Sequence, residues 1–276
     1  MKFLNPCIDV AFKKIFGSEE HKRVTISFLN SILEYKGKQL IKDVQFLNIE
    51  QHPYLQDKKE NYLDILCTDG ADKTYIIEIQ VENVKAFGKR IVFYGTKTYA
   101  LQLGAKQSYH HLEPVIAIAV LGFTLFPTKK KYKSIHKILD IETHENDLQE
   151  LTFAFVELPK FNKTENELVS DEDKWLYFLK NIDTQKSVPA PLKEKEFGQA
   201  CHAVERMTWS EAELNAYDDA IIRATDLQGA LEMAEIKGKT KVAQNLLKTG
   251  KFSIEDITQA TGLSIDEIEQ LKRGIS

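Results

Sequence analysis

The fold is decided by two apolar segments on either side of a turn, Asn61-Tyr-Leu-Asp-Ile-Leu-Cys-Thr68 and Thr74-Tyr-Ile-Ile-Glu-Ile-Gln-Val81. The intervening dipeptide Asp69-Gly70 is typical of a tight hairpin turn. Both segments are rich in the β-branched and aromatic residues that favour strands. We therefore predict two antiparallel strands joined through Asp69-Gly70.

The predicted hairpin carries two acids among its apolar side chains. Residues two apart on a strand share a face. Ile77 and Val81 are therefore predicted to point into a core, and Glu78 and Gln80 to point to the other face of the sheet. On the partner strand, Asp64 is the acid. Neighbouring strands lie about 5 Å apart, so Asp64 and Glu78 converge if their register allows it.

Two carboxylates in an apolar sheet repel each other and are costly to desolvate unless a cation lies between them. Mg²⁺ or Mn²⁺ meets that need, because hard divalent ions prefer oxygen ligands. Such an ion polarises a phosphodiester and activates water. The hydrophobic periodicity agrees equally well with a second interpretation, in which no metal ion is bound. Asp64 and Glu78 then lie on a half-solvated face of the sheet and pair with nearby lysines.

The flanking sequence predicts a mixed α/β fold. Helical spacing covers the first 33 residues, with a break at Gly17-Ser18, and apolar runs without alternation indicate buried strands. The order of helices, three strands, a helix and two further strands predicts one sheet flanked by helices. The elements outside the hairpin are expected near residues 44–46, 84–103, 115–121 and 151–158.

The composition changes after Pro159 and predicts three regions: a core over 1–165, a polar helical segment and linker over 166–195, and an all-helical region over 196–276. Near its end, Ser253 and Ser264 are predicted N-caps of two helices around a Gly262 turn, with Ile254, Ile257, Ile265, Ile268 and Leu271 buried. This is a helix-turn-helix pattern.

Acids at the start of the last helix, Asp266 and Glu267, disfavour reading of a DNA sequence by that helix and suit the helix dipole. DNA binding and a dimerisation or packing role therefore both remain open for the C-terminal helices.

Composition excludes several classes of protein. With 43% hydrophobic residues among 276, the bulk of the chain is not disordered, and no apolar run approaches the roughly 20 residues that span a bilayer. Three scattered cysteines and the lack of a secretory leader predict a cytoplasmic protein. The net charge of -4 excludes a uniformly basic nucleic-acid coat. No phosphate-binding glycine loop or zinc-ligand spacing is present.

Asp64 followed by Glu78-Ile-Gln80 on the next strand resembles the motif of the PD-(D/E)XK phosphodiesterases. An ordered set of further blocks resembles one branch of that superfamily, the recombination-promoting nucleases and transposases. The resemblance covers about residues 3 to 180, and the 257–268 segment is similar to tails of the same branch. The blocks are Asp9-Val-Ala-Phe-Lys-Lys-Ile-Phe16, Tyr62-Leu-Asp-Ile-Leu66, Arg90 with Tyr94 and Tyr99, Pro114-Val-Ile-Ala-Ile118 and Glu157-Leu-Pro-Lys-Phe161.

The resemblance implies a restriction-endonuclease-like fold and Mg²⁺-dependent cleavage of DNA, with a role in recombination. It implies Asp64 and Glu78 as metal ligands, the Ile79 carbonyl as a backbone ligand, and Gln80 beside the attacking water. Lys is common at the Gln80 position in the superfamily. Lys contributes a positive charge, whereas Gln orients water without one, so activity and the number of metal ions stay open.

Further residues near the hairpin are candidates for binding the substrate. Arg90, Tyr94 and Lys97 follow helical spacing and can face substrate phosphates; the alternative is a core aromatic at Tyr94 and a surface charge at Arg90. Asp9 and Lys13 either approach the site from the first helix or form an ion pair on the helix surface.

These patterns predict a Mg²⁺- or Mn²⁺-dependent DNA endonuclease with DNA as its partner and a homodimer through the helical C-terminal region. Two alternatives from other classes remain. One is a nuclease fold that docks on DNA without turnover, which Gln80 favours. The other is an assembly factor in which residues 196–276 are the functional part.

Overall fold

The computed structural model describes residues 2–47, 64–104 and 107–275. Within these ranges the helices are α1 Asp9–Phe16, α2 Lys22–Ile32, α3 Phe87–Ala100, α4 Asp171–Asn181, α5 Lys195–Ala203, α6 Glu211–Thr249, α7 Ile254–Thr261 and α8 Ile265–Ile275. The strands are β1 Val44–Phe46, β2 Ile65–Asp69, β3 Thr74–Gln80, β4 Val115–Leu121, β5 Lys133–Lys137 and β6 Leu151–Glu157. The part of the predicted second strand over 61–63 lies outside the described residues.

The strands form one six-stranded mixed sheet in the order β1-β2-β3-β4-β6-β5. The pairs β3–β4 and β4–β6 are parallel, and β1–β2, β2–β3 and β5–β6 are antiparallel. Helices cover both faces of the sheet, and a helical region follows it. The predicted fold class, a restriction-endonuclease-like mixed sheet flanked by helices, is confirmed.

The hairpin of β2 and β3 forms as predicted. Ile65 lies opposite Ile77, and the turn is closed by the Asp69 carboxylate, which accepts hydrogen bonds from the Ala71 and Lys73 N–H groups. Ile77 packs in one core cluster and Ile76 in the other, so the predicted alternation holds. The expectation that Val81 points into the core is wrong, because β3 ends at Gln80 and Val81 is 39% exposed.

The first core layer packs α1, α2, α4 and α5 against one face of the sheet. Trp175 of α4 lies at its centre, fully buried, with its ring centroid 5.7 Å from that of Phe16 and 4.5 Å from that of Phe197. Aromatic contacts of this kind add to the free energy gained by burying the rings. This layer holds α1 against the sheet and so positions the Lys13 side chain.

The second layer packs α3 and the loop after β4 against the other face. Phe87 of α3 contacts Phe123 of that loop at 5.9 Å between ring centroids, and Phe126 packs on Phe155 of β6. Every residue of β4 is buried because helices cover both faces of the sheet, which explains its unbroken apolar run. The strand β5 was not predicted, because it is a half-exposed edge strand whose lysines hide the strand pattern.

The chain packs as two compact units, residues 1–220 and 221–276. The segment over 166–195, predicted as a polar helical segment and linker, contributes Trp175 and Leu192 to the core of the first unit. The division into 1–165, 166–195 and 196–276 stays a prediction. In the described part of the chain, no helix is both long and apolar enough to cross a membrane.

The second unit holds the predicted helix-turn-helix-like end. Ser253 caps α7, Gly262 adopts a left-handed φ of 70° after it, and α8 follows. The apolar cluster joins these helices to the end of α6 through Ala243, Ile257, Leu263 and Ile268. The predicted burial of Ile265 is wrong: it is 49% exposed, because the buried contacts of α8 begin one turn later, at Ile268.

Candidate functional site

The two acids of the motif lie side by side at the open end of the hairpin. Asp64 directly precedes Ile65, which is paired with Ile77, and this register carries Asp64 opposite Glu78. The Ile79 N–H donates to Asp64 Oδ2 at 2.7 Å, and the Asp64 N–H donates to Glu78 Oε2 at 3.3 Å. Backbone donors therefore hold one oxygen of each carboxylate, and the other oxygen approaches a cationic side chain from a neighbouring helix.

Both acids are removed from water. Glu78 is 4% exposed, and the Asp64 side chain is 12% exposed. Burial raises the pKa of the Asp64 carboxyl to about 7, although the hydrogen bond from the Ile79 N–H works in the opposite direction. Burial, reinforced by the charge of Asp64, raises the pKa of Glu78. The alternative of a half-solvated face is therefore wrong, although a lysine does pair with Asp64.

That lysine is Lys13, which reaches the hairpin from α1. Its Nζ lies 3.5 Å from Asp64 Oδ1 and 2.7 Å from Asp9 Oδ1. Burial opposes the charge on Lys13, but the hydrogen bond to Asp9 and the charge of Asp64 outweigh it and raise the pKa of Lys13. Both expectations for Asp9 and Lys13 therefore hold: they form an i, i+4 ion pair, and that pair adjoins the acids.

Arg90 reaches the same acids from α3. Its Nη2 lies 3.6 Å from Glu78 Oε1 and donates to Gln80 Oε1, while its guanidinium carbon lies 4.8 Å from the Phe87 ring centroid. Arg90 is thus not the isolated surface charge of the alternative interpretation. Its Nε is buried and has no hydrogen-bond partner among the described residues, so a donor beside the acids is left unused.

The other two helix candidates lie elsewhere on α3. Tyr94 is 9% exposed and belongs to the second core cluster, which fits the alternative of a core aromatic. Lys97 is half-buried, with its Nζ 6.0 Å from the ring centroid of Phe93. The structure therefore brings together Asp9, Lys13, Asp64, Glu78, Gln80 and Arg90.

The donor set suits a hard divalent cation. The Ile79 N–H faces Asp64, and a strand residue directs its N–H and C=O toward the same edge, so the Ile79 carbonyl faces Asp64 as well. Two carboxylates and this carbonyl are oxygen donors in a desolvated site of excess negative charge. Over residues 2–47, 64–104 and 107–275 no group of three acid, histidine or cysteine side chains could hold a metal. Water would therefore complete the coordination shell, as is usual for Mg²⁺.

One buried acid, which the sequence presents only as the first residue of the Glu157–Phe161 block, anchors the neighbouring loop. Glu157 is 1% exposed, and its Oε1 accepts hydrogen bonds from the Leu125 and Phe126 N–H groups. Its Oε2 lies 2.7 Å from Lys160 Nζ. Neither that block nor the position of the acid at the end of an apolar strand reveals that its partners are backbone groups more than 30 residues away.

A cavity of about 820 Å³ lies apart from these residues. Side chains of both charge signs line it, among them Arg23, Lys36, Glu34 and Asp171. None of its lining residues belongs to the group around Asp64 and Glu78, so the cavity is separate from the candidate site.

A family model described as PD-(D/E)XK nuclease family transposase matches residues 6–234. The chain belongs to this family. Membership confirms the resemblance inferred from the motif blocks and supports a nuclease-like function in general. No curated protein and no solved structure matches the chain. For this PD-(D/E)XK family member, residues 235–276, including α7 and α8, lie beyond the family match.

Two buried acids side by side predict that neutralising one of them stabilises the metal-free protein. Glu78→Gln keeps the shape of the side chain and removes one of two repelling charges. In buffer with EDTA at pH 8 we expect a free energy of unfolding higher by on the order of 1 kcal/mol, a typical size for a single substitution at a buried charge. Urea unfolding at fixed pH measures it.

The increase in the free energy of unfolding caused by Glu78→Gln should become smaller as the pH is lowered toward 5. A group whose pKa is raised by folding stabilises the folded state below its unfolded pKa and loses that contribution as the pH rises through its folded pKa. As the pH falls, wild-type Glu78 takes up a proton in the folded state before it does so in the unfolded state, so the variant loses its advantage. The exposed Glu142→Gln is the matched control and should change stability by less than about 0.5 kcal/mol at either pH. A destabilised Glu78→Gln at pH 8 would contradict the interpretation.

Proposed function

We propose that the chain is a Mg²⁺-dependent DNA endonuclease, and that recombination is the process it serves. The observation that carries the proposal is the meeting of Asp64 and Glu78 at the end of the hairpin, in a member of a nuclease family. Mn²⁺ is the alternative ion, because its preference for oxygen ligands is similar. The cytoplasmic location stays a prediction from sequence.

Asp64, Glu78 and the Ile79 carbonyl would hold the ion. When bound, it supplies Lewis-acid stabilisation of the phosphodiester and lowers the pKa of a water molecule. Gln80 would orient the attacking water: Arg90 occupies its Oε1, which leaves the side-chain amide to donate. Arg90 would use its remaining guanidinium donors on a phosphate oxygen.

Lys13 supplies the positive charge that Gln80 lacks. Its ammonium lies 3.5 Å from Asp64 and is held by Asp9, so a cation stands beside the acids although the motif itself has none. In this position it would offset charge that develops on the phosphoryl oxygens. Lys97 remains a candidate phosphate contact, whereas the burial of Tyr94 argues for a packing role.

The purified chain should nick or linearise supercoiled plasmid DNA in Mg²⁺, and EDTA should stop it. Asp64→Asn and Glu78→Gln should each lower the rate by at least about a hundredfold, because each removes a charged ligand. Gel analysis of plasmid forms measures the rates, and thermal unfolding verifies the fold. The control is Glu142→Gln, which should cleave like the wild type.

Equal cleavage by all four proteins would identify a contaminating nuclease and remove the enzyme proposal. Tight DNA binding without cleavage, and without Mg²⁺ binding in calorimetry, would select the alternative of a catalytically inactive DNA-docking or assembly protein. Gln80 at the usual Lys position is the observation that favours that alternative.

Variants of Lys13 test separately whether its positive charge replaces the one that Gln80 lacks. Lys13→Met should lower cleavage by about ten- to a hundredfold, while Lys13→Arg, which keeps the charge, should retain most of it. The rates are compared at saturating Mg²⁺, so that a change in metal affinity does not mimic a loss of catalysis. If both variants cleave like the wild type, Lys13 only balances Asp9 and Asp64.

A homodimer through the C-terminal helical region is also proposed, and α6 supports it. Several apolar side chains of its 221–249 segment are exposed, including Ile222, Leu227, Leu231 and Met233. Charges along the same segment are polarised: Asp226, Glu232 and Glu235 come first, and 236–249 holds four lysines and no acid. Antiparallel pairing of two copies would place acids against lysines and cover the apolar side chains.

Light scattering behind a sizing column should give about twice the 31.6 kDa chain mass for the wild type. Leu227→Lys with Leu231→Lys should return the protein to one chain mass, because two lysines would be buried without partners. The control Ile141→Lys alters an 89% exposed apolar residue outside α6 and should leave the mass unchanged. A wild-type monomer at 0.1 mM would contradict the dimer.

A further inference from the structure

The acids of this chain are distributed unevenly. Residues 83–139 contain ten of its 37 basic residues and one of its 41 acidic residues, Glu113. The formal charge of this segment is therefore +9, while the rest of the chain, with 27 basic and 40 acidic residues, carries −13. An overall charge of −4 thus conceals one strongly basic stretch. A local excess of this size attracts polyanions.

The two ends of this stretch are brought to the same face of the sheet. α3 and the loop after β4 both pack in the second layer, where Phe87 contacts Phe123. Glu78 shares that face, because it lies two residues after Ile76, a member of the same cluster. The direct contact of Arg90 with Glu78 confirms that α3 adjoins the acids.

A row of side chains on α3 points away from the core at four-residue spacing. Lys89 and Phe93 are exposed and Lys97 is half-buried. The exposed Lys85 lies in the turn just before α3, next to Ala86, whose φ is 64°. On the adjoining loop, the exposed Lys129 lies with its Nζ 4.7 Å from the Phe126 ring centroid. We call Lys85, Lys89, Phe93, Lys97 and Lys129 the α3 face.

Phe93 is the unusual member of the α3 face. It is 58% exposed, beside Val92 at 43%, on a helix that contains no acid. Lysines alone would suit any polyanion, whereas an aromatic ring between lysines suits one whose bases can stack on it. An anionic lipid surface would also suit lysines beside exposed apolar side chains. The contact of Arg90 on the same helix with Glu78 favours nucleic acid, because it places the α3 face next to the acids of the nuclease motif.

We propose that the α3 face binds the DNA strand next to the Asp64–Glu78 pair, with its lysines on the phosphates and Phe93 stacked on an unpaired base. The inference rests on the proposed function in taking DNA as the substrate, and it adds a substrate class. DNA with a single-stranded segment beside the cleaved bond is the preferred ligand, because a fully paired duplex presents no free base face to Phe93.

Binding of the full chain to a fluorescent 20-nucleotide single strand tests the proposal by anisotropy in EDTA, between 50 and 200 mM salt. Lys85→Gln with Lys89→Gln should weaken binding about tenfold at 100 mM salt. It should also reduce the slope of log K against log salt by about 1.4, the value for two lost phosphate contacts on a single strand. The matched control, Lys36→Gln with Lys42→Gln, removes two exposed lysines outside the segment and should change neither quantity.

Phe93 is tested by its own pair of variants. Phe93→Ala should weaken binding to the single strand about tenfold with the salt slope unchanged, and Phe93→Trp should restore it, because stacking needs a ring and not a charge. A blunt duplex of equal length should be bound more weakly by the wild type and should not respond to Phe93→Ala. Thermal unfolding confirms that these exposed positions leave the fold intact.

The inference is overturned if the variants of the α3 face bind DNA like the wild type. It is also overturned if those lysines are required only for vesicles containing phosphatidylserine. Its failure can be told apart from that of the proposed function. A chain that binds through the α3 face but never cleaves removes the endonuclease alone. One that cleaves through Asp64 and Glu78 with unaltered binding by the lysine variants removes the α3 face alone.

Discussion

Antiparallel pairing between β2 and β3 sets where the two acids of the motif meet. Because Ile65 lies opposite Ile77, the next position along each strand places Asp64 opposite Glu78. Side chains alternate between the two faces of a sheet, so a slip of one residue would separate these acids and turn one of them into the wrong core layer. Apolar residues on both faces of the hairpin hold the register, since any slip would also expose or misplace them.

This arrangement has an electrostatic cost that the surrounding helices partly offset. Two largely buried carboxylates repel each other, and burial raises the pKa of both. Lys13 comes from the helical layer on one face of the sheet, and Arg90 comes from the layer on the other. Each cation faces one acid, so both helical layers must be in place before the charges are balanced. The site is therefore a product of the whole first unit and not of the hairpin alone.

Some elements of the structure were predictable from the sequence and others were not. The β4 run predicted the bounds observed, because a strand buried on both faces is uniformly apolar. The edge strand β5 escaped prediction, since its lysines and half-exposed positions resemble a loop. Helical spacing placed Arg90 and Tyr94 one turn apart but could not tell that one contacts Glu78 and the other joins the core. That difference depends on which side of α3 faces the sheet.

The sequence by itself determined the hairpin, the pairing of an acid with a Glu-x-Gln motif, the mixed α/β class and the family. These follow from alternation, turn chemistry and block order, all of which are local along the chain. Only the tertiary structure decided that Lys13 adjoins Asp64, that Arg90 joins Glu78 to Gln80, and that Glu157 anchors a loop more than 30 residues away. Each of these contacts joins residues that are distant in sequence, and burial against the sheet brings them together. Periodicity reports which face of an element is apolar, but it carries no information about what packs against that face.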